Sequence, residues 1–317
     1  MARSDVHPVH SFESWQVWPG SYDNPQPDGS YPRPGGRHLK IARSTRVASM
    51  GSCFAREIKN VLIREGFSYI TEETSHPATV HASAAWERVY NLFSMRQIFE
   101  YTFSQWNPGL RWWKAPKSGK IQDPFRRIIL YDNQEQAETD FENHKRCSRR
   151  ALERAEVLIL TLGLTEIWED RLDGSVICLP AGPYVNEGGD MTRYRFRVSR
   201  HAENLANLER IYSLMTEHNP GCKIIVTVSP VHLWATFRED SDVISASCNS
   251  KATLRAVADE FVARHENVYY FPAFEIATIY RPMMGQSIFT EGRENFHVNR
   301  DTVELIMKSF FQFYGEK

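Results

Sequence analysis

A chain of 317 residues with 42% hydrophobic content has enough apolar material for a sizeable core, and a formal net charge of -1 leaves no basic track for nucleic acid and no cationic face for an anionic membrane. No stretch approaches the roughly 18 consecutive apolar residues of a membrane span, and the first residues lack the apolar core of a secretory leader, so a cytoplasmic protein is expected. The five cysteines, Cys53, Cys147, Cys178, Cys222 and Cys248, are odd in number and contain no C-x-x-C pair, which argues for reduced thiols and against a disulfide framework or a zinc site.

Residues 1–43 are rich in Pro, Gly, Ser and Trp, as in Trp18-Pro19-Gly20-Ser21 and Pro32-Arg33-Pro34-Gly35-Gly36, and such a composition cannot hold regular helix. Its aromatics, Trp15, Trp18, Tyr22 and Tyr31, point to an extended arm laid across a single domain that spans residues 44–317.

Within that domain four short apolar runs read as strands: Arg46 to Met50, Val157 to Leu162, Lys223 to Val228, and Val268 to Phe271. Phe67-Ser68-Tyr69-Ile70 is a weaker fifth candidate, following a helical pattern from Ala55 to Glu65. Continuous apolar runs of this kind suit parallel strands covered on both faces. Between them, Phe141 to Glu156, Ala202 to His218 and Lys251 to His265 carry apolar residues at helical spacing, with a last helix from Arg300 to Tyr314. The alternation predicts an α/β fold with a doubly wound parallel sheet of about five strands flanked by helices. Ligands of such sheets bind beyond the carboxyl ends of the strands. Here the strand candidates end in Gly51-Ser52-Cys53, Gly163-Leu164-Thr165-Glu166, Ser229-Pro230-Val231-His232 and Pro272-Ala273-Phe274-Glu275. The long irregular stretches 106–128 and 170–199 are expected to roof the site.

Gly51-Ser52-Cys53-Phe54-Ala55 places a hydroxyl and a thiol on a strand-to-helix turn, where the N–H groups of the helix start favour a thiolate and an oxyanion. Near the other end, Glu294 stands three residues before His297, a spacing that lets a carboxylate orient an imidazole base. A nucleophile and a base of this kind make an acyl-transfer site. Each residue also has a plainer role open to it. Cys53 can be a buried structural thiol, Ser52 a helix cap as well as a second nucleophile candidate, His297 a helix-entry histidine and Glu294 a solvated charge. Arg126 either clamps a substrate anion or pairs with Asp123. The pair Trp112-Trp113 reads more readily as packing than as a sugar platform. His7, His10, His76 and His81 lie in loops without a joined carboxylate cluster, so no metal and no cofactor is expected.

The pentapeptide at 51–55 resembles that of the GSCFA-domain proteins, a bacterial group related to the SGNH (GDSL-like) hydrolases. The resemblance continues through Tyr90-Asn91-Leu92-Phe93-Ser94, Asp123-Pro124-Phe125-Arg126, Leu162 to Trp168, Thr227 to Val231, Ser250 to Arg255, Tyr270-Phe271-Pro272 and His297. It implies a three-layer SGNH/flavodoxin-like sandwich, with Cys53 at the place of the nucleophilic serine and Glu294-x-x-His297 at the place of Asp-x-x-His. Gly163-Leu164-Thr165-Glu166 looks similar to the Gly-x-Asn-Asp block, with Thr165 in place of the oxyanion asparagine. The second-block glycine of that group has no clear match in this chain, and Asn91 is taken as its candidate.

The expectation is an acyl-ester hydrolase or O-acyltransferase in which Cys53 attacks, His297 is the base, and N–H groups at Cys53 and Gly163 with Thr165 hold the oxyanion. Glu166, Asn91 and Arg126 complete the candidate site. The substrate class implied by the resemblance is an acylated carbohydrate or another small ester or thioester. A catalytically silent module that binds a glycan or peptide on the same fold is the alternative. The oligomeric state is not legible.

Overall fold

In the computed structural model, which describes residues 12–20, 31–32, 39–74, 76–104, 106–109, 112–114, 118–126, 128–178 and 191–316, the apolar runs become strands at the places their composition dictates. After a 3-10 turn at Ser14–Gln16 come β1 (Val47–Gly51), α1 (Phe54–Arg64) and α2 (Leu92–Phe103). Three two-residue strands follow, β2 (Trp113–Lys114), β3 (Ile121–Gln122) and β4 (Leu130–Tyr131), then α3 (Gln134–Arg154). Next are β5 (Val157–Leu162), β6 (Glu166–Asp170), β7 (Val176–Ile177), β8 (Tyr194–Val198), α4 (His201–His218) and β9 (Lys223–Val228). The chain continues through α5 (Val243–Arg264), β10 (Val268–Tyr270), α6 (Ala273–Glu275), a π-helical turn Ile276–Tyr280, α7 (Arg281–Met283) and α8 (Arg300–Tyr314).

The central sheet is parallel, in the order β1-β5-β9-β10. Along β5 the side chains divide by parity, Leu158, Leu160 and Leu162 entering one hydrophobic cluster and Val157 and Ile159 the other. β9 divides the same way, with Ile224, Val226 and Val228 against Ile225. This two-sided burial is why the strands read as continuous apolar runs rather than alternating ones. The first cluster draws on α2, α3, α4 and α5, the second on α1, α8 and the stretch 273–280. The result is three layers.

The fifth strand candidate contracts to a single parallel bridge between Tyr69 and Val47, flanked by Val47 N donating to Ser68 O (2.9 Å) and Ile70 N to Val47 O (2.8 Å). It lies on the side of β1 away from β5. The chain therefore leaves β1 through α1 on one face and reaches β5 through α2 and α3 on the other. The crevice between the carboxyl ends of β1 and β5 is the topological switch point of the sheet.

Three elements differ from their expected extents, each for a visible reason. α3 starts seven residues before Phe141, at Gln134, because Asn133 Oδ1 caps Gln136 N and the first turns are polar and solvated. α5 starts at Val243, capped by Asp242, and its buried face includes Ser247, Ser250 and Lys251, which hide the apolar period. α2 is buried at nine of its twelve residues, so no amphipathic stripe announces it.

The stretches expected to be irregular carry two small antiparallel sheets, β2-β3-β4 and β7-β6-β8. Only the second adjoins the site. The first packs Ile129 and Tyr131 on Ala137 of α3, while Trp113 is buried and donates to Tyr194 OH (3.0 Å), so the tryptophan pair packs the structure. The described part of the N-terminal segment lies against the C-terminal helices, Tyr31 meeting Tyr280 and Phe313 with ring centroids 5.3 and 6.2 Å apart. Among the described residues no helix is long and apolar enough to cross a membrane.

Candidate active site

The turn after β1 is forced by its neighbours. Gly51 has φ +143°, and a Cβ there would stand 2.2 Å from Thr161 O on β5, so only glycine fits the close approach of the two strands. Ser52 turns inward. It is 1% exposed, its N–H donates to Thr161 Oγ1 (2.9 Å), and its Oγ accepts from Phe54 N (3.3 Å) and lies 3.3 Å from Thr161 Oγ1. Cys53, one residue on, is the N-cap of α1 and is partly exposed.

Cys53 opens onto two cavities at once. One, of about 600 Å³, lies between the strand ends and the β7-β6-β8 sheet and has an aromatic wall of Trp168, Trp234, Phe237 and Phe296. The other, of about 520 Å³, lies between α1 and α8 and is lined by Glu57, Asn60, Arg64, Thr290, Arg300 and Glu304. The residues common to both are Cys53, Arg56, Val231 and His297. Cys53 and His297 thus stand where the two spaces adjoin, the neck of the site.

His297 reaches the neck on a loop whose strands are pinned together. Phe289 and Val298 form an antiparallel bridge, Thr290 N donates to His297 O (2.9 Å) and Asn299 N to Ile288 O (2.9 Å). Asn299 then caps α8 through Thr302 N (2.8 Å). Glu294 ends a 3-10 turn at Gly292–Glu294, and the placement of its side chain lies outside the described residues. A second histidine lines the larger cavity, His232, whose Nδ1 is 2.8 Å from Ser247 Oγ. Burial, and after it Lys251, lowers its pKa.

Electrostatically the neck differs from a simple helix-start site. Burial pushes the Cys53 thiol above its ordinary range, and the cations Arg88, Lys251 and Arg56 pull it back only in part. Burial therefore favours the thiol over the thiolate. Lys251 is fully enclosed and is brought down to about 7 by burial, with the charge of Cys53 acting in the opposite direction. Its Nζ donates to Gly163 O (2.8 Å) at the end of β5, behind the nucleophile turn. Arg88 lines the larger cavity with its Nε buried. Beside it, burial, then the charge of Cys53, raises Tyr90.

Several sequence candidates sit elsewhere or are otherwise engaged. Arg126 is 1% exposed, inside an ion-pair network with Asp123 (3.1 Å) and Asp140 (2.8 Å) and a hydrogen bond to Tyr131 OH (3.0 Å), and it lines neither cavity. Thr165 is fully buried, its Oγ1 2.9 Å from Ser250 Oγ, and it lines neither cavity. Gly163 lies so close to Tyr90 that a Cβ would be 2.5 Å from the Tyr90 carbonyl. Asn91 and Glu166 do line the larger cavity, but Asn91 Oδ1 caps α2 through Ser94 N (2.8 Å) and the Glu166 carboxylate accepts from Thr236 OH and from Phe237 N (3.3 Å). Glu275, at the end of β10, accepts from Tyr270 OH (2.8 Å) and pairs with Arg255 (2.7 Å), away from the neck.

Lys251, Arg88, Tyr90, Arg56 and His232 are the residues to which sequence reasoning gave no role, although His232 closes one strand-end motif and Tyr90 and Lys251 lie in stretches that carry the resemblance. Lys251 carried a readable signal: it stands on the buried stripe of α5 with Ser247, Leu254 and Ala258, where a charge has no solvated role. Arg88 lies in a segment without regular structure and carries none. Among the described residues no group of three or more His, Cys, Asp or Glu is placed to hold a metal ion.

The family model described as "GSCFA family" matches residues 46–310. No curated protein matches the sequence significantly. Among solved structures the chain is similar to a candidate GDSL-like lipase from Parabacteroides merdae, at 11% identity and a TM-score of 0.36, covering 87% of this chain and 98% of that one. It is similar to the acetyl xylan esterase Est2A from Butyrivibrio proteoclasticus at 10% identity and a TM-score of 0.33, over 87% and 64% of the two chains. With the salicylyl-acyltransferase SsfX3 of a tetracycline biosynthetic pathway the identity is 14% and the TM-score 0.30, over 53% of this chain and 40% of that one.

Proposed function

The chain belongs to the GSCFA family, and from that premise and the geometry of the neck we propose that it is an acyl-ester hydrolase or O-acyltransferase working through Cys53 and His297. The observation that carries the reading is that Cys53, a residue only partly buried, and His297, 244 residues apart in sequence, are among the four residues that line both cavities. A structural thiol would be enclosed, as Cys147 and Cys222 are.

In the proposed reaction His297 takes the Cys53 proton as the sulfur attacks the carbonyl carbon of an ester or thioester. The C–S bond forms and the carbonyl π pair moves to oxygen. That oxyanion is balanced by the Cys53 N–H and by Arg88, with Lys251, while protonated, adding charge from behind the turn. Collapse breaks the bond to the leaving oxygen of an ester, or the leaving sulfur of a thioester, which takes the proton from the imidazolium. An acceptor hydroxyl then gives its proton to His297 and attacks the acyl-thioenzyme, and Cys53 departs and is reprotonated. The high resting pKa of the thiol suits this order, because the proton leaves only when a carbonyl is present to receive the sulfur. The aromatic wall offers flat apolar surface to an acyl group or a sugar ring.

Mass spectrometry of the protein mixed with p-nitrophenyl acetate tests the assignment. Cys53 is expected to carry the acetyl group, Cys53→Ala to lose both the adduct and turnover, and His297→Ala to slow acylation by about a hundredfold or more. Undiminished activity in Cys53→Ala removes the thiol mechanism. Absence of any adduct or turnover leaves the fold as a binding module.

A further inference from the structure

His232 borders the larger cavity and has no part in the reaction above. It stands on the loop after β9, and its N–H donates to the carbonyl of Phe296 (3.3 Å), the residue before His297. Its ring meets Phe289 edge-on at 5.2 Å, and Phe289 is the bridge partner of Val298, the residue after His297. The two histidines therefore stand on adjoining segments. The ring of His232 is held from one side. Nδ1 lies 2.8 Å from Ser247 Oγ, which also accepts from Leu233 N (3.4 Å), whereas Nε2 makes no hydrogen bond among the described residues. Burial, then Lys251, holds its pKa below the ordinary value of 6.5, so at neutral pH the imidazole is uncharged. A Ser247 hydroxyl that accepts from Leu233 has its own proton to give to Nδ1, and the ring proton then sits on Nε2.

A thiol nucleophile has a use for such a donor. In the tetrahedral intermediate the sulfur and the substrate oxygen compete to leave, and the less basic sulfur leaves more readily, so the forward path depends on help at the oxygen. With a phenolate the help matters little; with an alkoxide it decides the outcome. Resting on the Cys53–His297 reading above, we infer that His232 is a further catalytic residue, its Nε2–H donating to the leaving oxygen of the bound ester while the imidazolium of His297 delivers the proton. Ser247 is its positioning residue. The leaving alcohol then lies against His232, Leu233 and Trp234, the part of the cavity wall that the loop after β9 supplies. His232 keeps its own proton throughout. The C–S bond that forms, the C–O bond that breaks and the proton that passes from Cys53 through His297 to the oxygen stay as given above, with no further reactant.

The test varies the leaving group. Acylation of Cys53 is followed by mass, and kcat/KM is measured with p-nitrophenyl acetate, trifluoroethyl acetate and ethyl acetate, whose leaving oxygens are progressively more basic. His232→Phe keeps a ring and removes the donor. Its loss of kcat/KM is expected to grow along that series and to be at least about tenfold greater with ethyl acetate than with p-nitrophenyl acetate. His232→Gln, which retains an N–H donor, is expected to recover part of the ethyl acetate rate. Ser247→Ala, which removes only a hydroxyl, is expected to show the same ordering to a smaller extent, and it gives the reading should the ring substitution unfold the chain. A histidine that merely supports the loop lowers all three esters together. Equal losses along the series, or no loss, in His232→Phe and Ser247→Ala overturn the inference while leaving the Cys53 reading standing. Failure of Cys53 in the parent to be acylated by any of the three overturns both.

Discussion

Ser52 and Cys53 are chain neighbours with opposite surroundings, and their difference decides which is the nucleophile candidate. The serine hydroxyl is spent on Thr161 and on the N–H of Phe54, whereas the thiol faces the neck. Ser52→Ala is therefore expected to cost about 1 kcal/mol of stability, the usual worth of a cap-like hydrogen bond, and to leave the rate of Cys53 acylation within about twofold of the parent. Urea unfolding and burst kinetics on the same preparation give the two readings. Loss of the burst with stability intact would return the hydroxyl to the reacting group. Arg126 makes the complementary point. An arginine in the stretch Asp123-Pro124-Phe125-Arg126 reads as an anion clamp or as a partner of Asp123 until its surroundings are seen, and Asp140, its second partner, lies on α3, 14 residues further along the chain. At Glu294 the sequence spacing toward His297 stays an expectation.

At the scale of elements, the site is built where α1 leaves β1 and where α5 crosses the end of β5. Lys251 is the tie between the latter two, its Nζ bound to the Gly163 carbonyl while Ser250 beside it meets Thr165. The lysine links the helix to pH. Its folded pKa of about 7 lies below the ordinary value of 10.5. Below about pH 7 it is charged in both the folded and unfolded chain, and the folded state bears the cost of burying the charge. Between the two values the unfolded chain still holds a proton that the folded one has released, so stability from this group rises with pH across that window. Replacing Lys251 with Met removes the effect. The unfolding free energy of the parent, measured relative to Lys251→Met, is expected to climb from pH 7 towards pH 10. A flat difference across that range would show that the amine is solvated. The secondary sheet β7-β6-β8 matters at this scale as well, because it turns an open strand-end crevice into a walled cavity by bringing Trp168 and Ile177 over the neck.

Over the whole molecule, the described part of the N-terminal segment acts away from the chemistry. Trp15, Trp18 and Tyr31 border a third cavity, of about 520 Å³, with Tyr270, Tyr280 and Phe313, and it shares no lining residue with the two at the neck. Tyr31 is buried enough to push its hydroxyl up to about 12. Its ring contacts join the segment to the layer that carries α8, which is also the helix that follows the His297 loop. Tyr31→Ala is expected to lower stability by about 2 kcal/mol through lost aromatic packing, with the Cys53 burst unchanged. A burst that falls in step with stability would instead couple the segment to the site.

The amino-acid order alone determined where the four parallel strands lie, because a strand covered on both faces is apolar at most positions on both sides, and such runs stand out from amphipathic helices. It also placed a glycine-led turn with a thiol after β1 and a histidine before the last helix, since these depend on residue type and short spacing. Tertiary structure alone decided which of two adjacent nucleophiles looks outward, which arginine is sealed in an ion-pair network, and that Lys251 and Arg88 surround the sulfur. Those outcomes depend on distances between segments tens to hundreds of residues apart, and on burial that only packing creates. The division of the neck between two unlike cavities belongs to the same class, because each wall is assembled from elements that the chain order keeps far apart.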